Sequence, residues 1–247
     1  MTSTLAFLFA AGLLAGAQNA LAGGGSFITL AALVLTGLDP RVANITSTIA
    51  LFPGQVSSGI SGRSLVEGVG RIGFPGLVVI SLGGGAVGAF LLLATPPSFF
   101  AALVPYLVLF ATAVFFWGNF VHKPGTGGRK LPPRVVGLVQ FGIAIYGGYF
   151  GGGIGFLMLA ALTMAGIAIR PAGATKNALA AAMNASAVLV FLFAPDVAWV
   201  QAFVLCVAAI IGGLLGAWLL KRVQERALRI FVVLVGLALT VLMFLRS

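Results

Sequence analysis

Apolar residues along this chain fall into blocks separated by short stretches that hold nearly all the charge. Ten blocks can be drawn, at 4–22, 26–38, 42–60, 72–94, 99–121, 134–150, 154–168, 171–193, 197–220 and 227–246. Most approach the roughly 20 residues that a helix needs to cross hydrocarbon. The second block of each five is short, and the thirteen residues at 26–38 reach only about 20 Å as a helix, less than the hydrocarbon core. The first two blocks of each set are therefore two full crossings or one broken, re-entrant pair. The pattern predicts an all-α integral membrane protein of 8–10 transmembrane or re-entrant helices.

Composition agrees. The 247 residues are 60% hydrophobic and 7% charged, with a mean hydropathy of +1.16, where soluble domains carry roughly 25% charged residues. A soluble fold of this size could not cover so much apolar surface, so the lipid bilayer is the expected environment and little chain is left for a soluble domain. Leu5 to Ala15 followed by Ala20-Leu21-Ala22 has the outline of a secretory leader with its cleavage site. No basic residue precedes it, and the stretch has an internal counterpart, so it is expected to be the first membrane segment.

That counterpart is a duplication. Shifting the chain by 129 residues aligns Gly23–Ser57 with Gly152–Ser186 without gaps, and twelve of the 35 positions are identical. Among them are Gly23/Gly152, Gly24/Gly153, Phe27/Phe156, Gly37/Gly166, Arg41/Arg170 and Thr46/Thr175. Apolar composition would produce some matches, but hardly the paired glycines and arginines. At a shift of 128, Gly84-Gly85-x-x-Gly88-Ala89 matches Gly212-Gly213-x-x-Gly216-Ala217. One transmembrane domain, 1–247, is expected to consist of repeat one at 1–122, a cytoplasmic linker at 123–133 and repeat two at 134–247.

Loop charges orient the halves. Arg63 and Arg71 follow the third block, and Lys123, Arg129, Lys130 and Arg134 follow the fifth, whereas the turn Thr95–Ser98 is uncharged. In the second half, 194–196 holds only Asp196, and 221–229 holds Lys221, Arg222, Arg226 and Arg229. Basic loops stay cytoplasmic, so corresponding blocks run in opposite directions. Two inverted-topology repeats of about five segments each are expected, with both termini outside. Such repeats point to alternating access around a midplane site.

Candidate chemistry is sparse. Gly23-Gly24-Gly25 and Gly151-Gly152-Gly153 each precede a short block. A break there leaves the next helix's first N–H groups unpaired, which lipid does not tolerate. Such an end is positive and donates hydrogen bonds, so it suits an anion. Close packing through small residues is the alternative, and it suits Gly84/Gly88 and Gly212/Gly216 better. The third block of each half is the most polar. Asn44, Thr48 and Gln55 share a helical face beside Ser47, and Asn177 and Asn184 align with Thr48 and Gln55. Pro53 interrupts the first stripe. The stripe reads as a substrate path or as interhelical glue. Lys176 is the one basic residue well inside a block; an anionic substrate is its natural partner, and snorkelling to the interface is the alternative. Arg41 and Arg170 read as interfacial anchors or gate charges.

Other classes lose ground. Asp39, Glu67, Asp196 and Glu225 all fall at loops, which disfavours a carboxylate proton relay or a metal-cation carrier. Cys206 has no disulfide partner, and His122 alone makes neither a metal site nor a relay. No metal or other cofactor is expected. The net charge of +10 lies in loops, not in a stripe, so nucleic acid is not an expected partner.

The run from Gly16 through Gln18, Asn19 and Gly23-Gly24-Gly25-Ser26-Phe27, followed by Asp39-Pro40-Arg41-Val42-Ala43-Asn44-Ile45-Thr46-Ser47-Thr48, resembles the first repeat of the TauE/SafE sulfite exporter family. Gly147-Gly148-Tyr149-Phe150-Gly151-Gly152-Gly153-Ile154-Gly155-Phe156, with Ala174-Thr175-Lys176-Asn177, resembles its second. The resemblance covers nearly the whole chain. It implies a bacterial or archaeal inner-membrane permease whose characterised relatives export sulfite or organosulfur anions such as sulfoacetate. It points to Gly23–Gly25, Asn44, Thr46, Thr48, Gly151–Gly153, Lys176 and Asn177 as substrate-binding positions. Ala31-Ala32 stands where many relatives carry a proline.

The expected function is thus a secondary transporter of a small anion, using helix ends, hydroxyls, amides and Lys176, with Gln55 and Asn184 on the polar stripe. An anion channel and a carrier of a different small solute are alternatives. An intramembrane enzyme would need a nucleophile with a base, paired acids or a metal cluster, and these are missing. A scaffold subunit would not need the duplicated polar stripe. A homo-oligomer is compatible with the sequence.

Overall fold

The computed structural model describes residues 2–21, 24–117, 120, 132–219 and 225–245. The ten blocks become ten α-helices: α1 Thr2–Leu21, α2 Gly25–Leu35, α3 Pro40–Ser61, α4 Phe74–Ala94, α5 Pro97–Phe116, α6 Pro133–Tyr149, α7 Ile154–Met164, α8 Ile169–Phe191, α9 Trp199–Leu219 and α10 Glu225–Phe244. Between α3 and α4 lie a 3-10 turn at Arg63–Leu65 and an isolated bridge from Val69 to Ile72. Glu225, expected in a loop, is the first residue of α10. Gly23, His122, Lys123, Arg129, Lys130, Lys221 and Arg222 lie outside the described residues, as does most of the 123–133 linker.

The chain forms two compact units, Met1–Gly54 with Leu93–Ala113 and Phe191–Ser247, and Gln55–Leu92 with Val114–Val190. Each draws on both sequence halves. The first holds α1, α2, most of α5, α9 and α10; the second holds α6, α7 and nearly all of α4 and α8. Helix α3 passes between them at Gly54, and it stays helical through Pro53.

Glycines explain the partners. In the first unit, a β-carbon on Gly12 or Gly16 of α1 would strike Ala208 or Ala209 of α9, and one on Gly212 would strike the Leu13 carbonyl. In the second, Gly84 and Gly88 of α4 lie against Ala144 and Ile145 of α6, and Gly148 of α6 lies against the Gly85 carbonyl. Without a hydrophobic drive between helices in lipid, such close backbone approach supplies the attraction. Gln140 adds a buried hydrogen bond of 2.9 Å to Ser81 across α6 and α4. In the same unit Leu77, Met158, Leu162, Leu179 and Met183 belong to an apolar core.

The outward faces are apolar too. Leu138, Phe203 and Leu214 are each more than 70% exposed, a surface that water would penalise and lipid accepts. Among the described residues α4 and α5 are long and apolar enough to cross a bilayer.

The two short helices are near copies. Each has 11 residues, about 16 Å of rise. Each follows a left-handed glycine, Gly24 at φ 86° and Gly153 at φ 74°, a region that side chains avoid. Each ends in the same motif, with Gly37 at φ 92° and Gly166 at φ 96°. There Leu38 N–H donates to the Leu33 carbonyl, and Ile167 N–H to that of Leu162. These are Schellman caps. Helix α2 runs unbroken through Ala31-Ala32.

Candidate anion-binding site

In the first unit the start of α2 is occupied from within. The Gly25 amide donates to Asn19 Oδ1 at 2.7 Å, so the end of α1 supplies the acceptor that this helix terminus needs. Gly25 is buried, and a β-carbon there would meet the Ala15 carbonyl and Asn19 itself. Ser47 on α3 is likewise taken: its hydroxyl is 2.6 Å from that of Thr29, which also reaches the Ser26 carbonyl at 3.2 Å. Asn44 is buried, and Thr48 donates back to the Asn44 carbonyl at 2.9 Å. Thr46 is fully buried and accepts the Ala198 amide at 3.2 Å, tying α3 to the segment before α9. One turn earlier Arg41 reaches Asp196 at 3.6 Å and the Thr95 carbonyl at 3.0 Å.

The second unit has the same left-handed glycine and short helix, Gly153 and α7, with different side chains around them. Gly151 and Gly153 take positive φ, and Gly152 is buried between them. The residue matching Asn19 is Gly148, and the one matching Thr29 is Met158, each 129 positions on. Neither can supply an oxygen to the start of α7. Gly148 has no room for a side chain, because the Gly85 backbone sits where its β-carbon would stand. The residue matching Ser47 is Lys176. Its Nζ lies 3.6 Å from the point where a β-carbon on Gly155 would stand, against the first turn of α7. The ammonium therefore lies against protein, beside the first turn of α7. Among the described residues no carboxylate pairs with it.

Two positive features meet here, an ammonium and a helix N-terminus. Like charges brought together are unfavourable unless an anion joins them. The set suits a small oxyanion, with the first-turn amides and Lys176 as donors.

Farther along α8, Asn184 Nδ2 donates to Gln55 Oε1 at 2.6 Å. These two residues are themselves 129 apart, so equivalent positions of the duplication touch each other. Asn184 is 2% exposed, and its Oδ1 has no hydrogen-bond partner among the described residues. Asn177 is partly buried one turn beyond Gly173 on the same helix.

The structure thus groups Gly151, Gly152, Gly153 and Lys176, and separately Gln55 with Asn184. Gly24, Gly25, Asn44, Thr46 and Thr48 belong to the first unit, where Gly25 and Thr46 hold partners of the protein's own. Asn19 and Thr29 are the residues that a sequence search for ligands misses, because each acts by occupying a site.

The positive φ at Gly153 makes a test of the local geometry. An L-residue in that region is strained by about 1–2 kcal/mol. Gly153→Ala is expected to lower the unfolding midpoint in detergent, while Gly142→Ala, with open space around it, is expected to hold or raise it. Equal midpoints for the two variants would count against the left-handed turn.

The family model described as Sulfite exporter TauE/SafE matches residues 8–243. A "Probable membrane transporter protein" of Haemophilus influenzae is 29% identical over 244 residues, covering 96% of this chain and 92% of its own. "Probable membrane transporter protein ORF9" of a Sinorhizobium species is also 29% identical, with coverage of 96% and 91%. "Probable membrane transporter protein YfcA" of Escherichia coli K12 is 27% identical over 239 residues, covering 94% and 86%. No solved structure matches. With a family model spanning nearly its whole length and relatives named as membrane transporters, this chain is a membrane transporter, not an enzyme, and belongs to the Sulfite exporter TauE/SafE family.

Proposed function

We propose that the protein is a secondary transporter of the bacterial inner membrane that binds one small anion per chain at the start of α7 and moves it by alternating access. Sulfite or an organosulfonate such as sulfoacetate is the substrate class. The observation that carries this is Lys176 beside the first turn of α7, at a position whose counterpart in the other half is closed by Asn19 and Thr29. The duplication supplies two helix ends, and side-chain divergence leaves one of them for a ligand.

Three observations support inverted repeats around a midplane site. Gln55 and Asn184 are equivalent residues in direct contact, as expected of residues on a pseudo-two-fold axis. A helix of about 16 Å spans half of a ~30 Å hydrocarbon core, so α7 running from one face begins near the middle. Loop charges put Arg41, Thr95 and Asp196 on the outer face, and the protein joins these three. Both termini then face outside, and the chain crosses the membrane many times.

Radiolabelled sulfite uptake into proteoliposomes tests the reading. Saturable uptake is expected, inhibited by sulfoacetate and thiosulfate and accelerated by unlabelled anion on the opposite side. Uptake linear in concentration, without acceleration, would identify a channel. No uptake with folded protein in sealed vesicles would reject this substrate class.

A further inference from the structure

Three pairs of residues, each 129 positions apart, lie at the start of α3 and α8 and in the segments facing them: Arg41 and Arg170, Thr46 and Thr175, Glu67 and Asp196. Glu67 and Asp196 fall outside the ungapped match, yet keep its spacing.

The threonines do the same work in each unit. Thr46 Oγ1 accepts the Ala198 amide, and Thr175 Oγ1 accepts the Glu67 amide at 2.9 Å. Each third helix of a half thereby holds a connection belonging to the other half. The charged pairs differ. Arg41 is 15% exposed and closed onto Asp196 at 3.6 Å. Arg170 and Glu67 are exposed, and among the described residues no ion pair joins them.

The reason is register. In the first unit the anchored amide is two residues past the acid, so Asp196 reaches back toward Arg41. In the second the anchored amide is that of Glu67 itself. A slide of two residues along Thr175 would give Glu67 the place relative to Arg170 that Asp196 holds relative to Arg41.

Resting on the transporter reading, we infer that Glu67 and Arg170 close as a second ion pair in the opposite state of the cycle, and that the Arg41–Asp196 pair opens when they do. Loop charges put the first pair on the outer face and the second on the cytoplasmic face. The present structure is then the state with its outer clasp closed. Equivalent parts exchanging conformations is how inverted repeats alternate access. The closed clasp is also easily released: Asp196 is 57% exposed, exposed ion pairs contribute little, and Arg41 Nε is buried with no acceptor among the described residues.

The test uses the full chain with Cys206→Ser and four further substitutions, Arg41→Cys with Asp196→Cys and Glu67→Cys with Arg170→Cys. Each pair alone is expected to form a short thiol cross-link. In the four-cysteine chain, doubly linked molecules should be at least about tenfold rarer than the product of the two single yields. Double links at the product yield would overturn the inference, as would failure of the 67–170 pair to link in folded protein. A second arm uses Glu67→Gln and Arg170→Gln. Each should slow sulfite flux about threefold, the scale of a partly exposed ion pair, without changing equilibrium binding, and the exchange Glu67→Arg with Arg170→Glu should restore flux. Normal flux in both single variants would also overturn it. Cross-linking does not depend on the choice of anion, so loss of the clasp and loss of the sulfite reading would be seen separately.

Discussion

Lys176→Ala is expected to weaken equilibrium binding of sulfite by at least about tenfold while leaving the protein folded. A hydrogen bond to a charged group contributes about 1.5–3 kcal/mol, which converts to roughly 10–150-fold in affinity. The larger end applies where water is excluded. The ammonium lies against the α7 first turn with no described acid to hold it, so its removal orphans no carboxylate among the described residues. Folding should therefore be spared. Ser47→Ala is the matched control: its hydroxyl is already engaged by Thr29, and binding should be unchanged. Lys176→Arg keeps the charge but spreads it over a planar fork, and an intermediate affinity is expected. Binding of labelled sulfite to detergent-purified protein measures all three. Unchanged affinity in Lys176→Ala would remove the residue from the site.

Gly148→Ala should be far more damaging to the fold than its size suggests. The added carbon would stand on the Gly85 carbonyl, and a backbone atom cannot turn aside as a side chain can. Helices α4 and α6 would have to separate, losing the contacts made at Gly84 and Gly88. Overpacking ordinarily costs about 1–3 kcal/mol, and here the strain falls on a helix contact that lipid does not otherwise favour. Gly16→Ala meets the Ala209 carbonyl in the same manner in the other unit. Gly83→Ala, with open space around it, should be harmless. The monodisperse fraction on size exclusion and the unfolding midpoint give the readout. A Gly148→Ala protein as stable as the Gly83→Ala protein would show that α4 and α6 do not approach as described.

The helices were legible because lipid leaves the chain few choices: an apolar block must satisfy its own backbone, and ten blocks became ten helices. One matched pair of glycines also took matched roles. Gly37/Gly166 match in sequence and close the same cap in structure. Helix partners were not legible. Gly84 and Gly212 announce that something comes close, but a glycine carries no mark of what. The asymmetry of the two helix ends escaped for a related reason. Asn19 lies six residues from the amide it accepts, across the bend between α1 and α2, and Thr29 looks like one hydroxyl in an apolar run. Lys176 could point toward the interface or inward with equal ease from its place in α8; only the packed structure shows it across Gly155. Glu67 and Asp196 read singly as loop acids, and their meaning depends on the arginines opposite.

The exchange of helices between the halves bears on how the protein is made. Helix α1 emerges well before α9, the helix that fits its glycines, and α4 emerges before α6, the helix that it fits. A ribosome releasing the chain in order therefore leaves α1 waiting, with a small-residue face bare to lipid, while α2 to α8 are made. Neither half could mature alone. Cut between them, the fragments would have to be produced in the same membrane, where each would serve as the other's assembly partner.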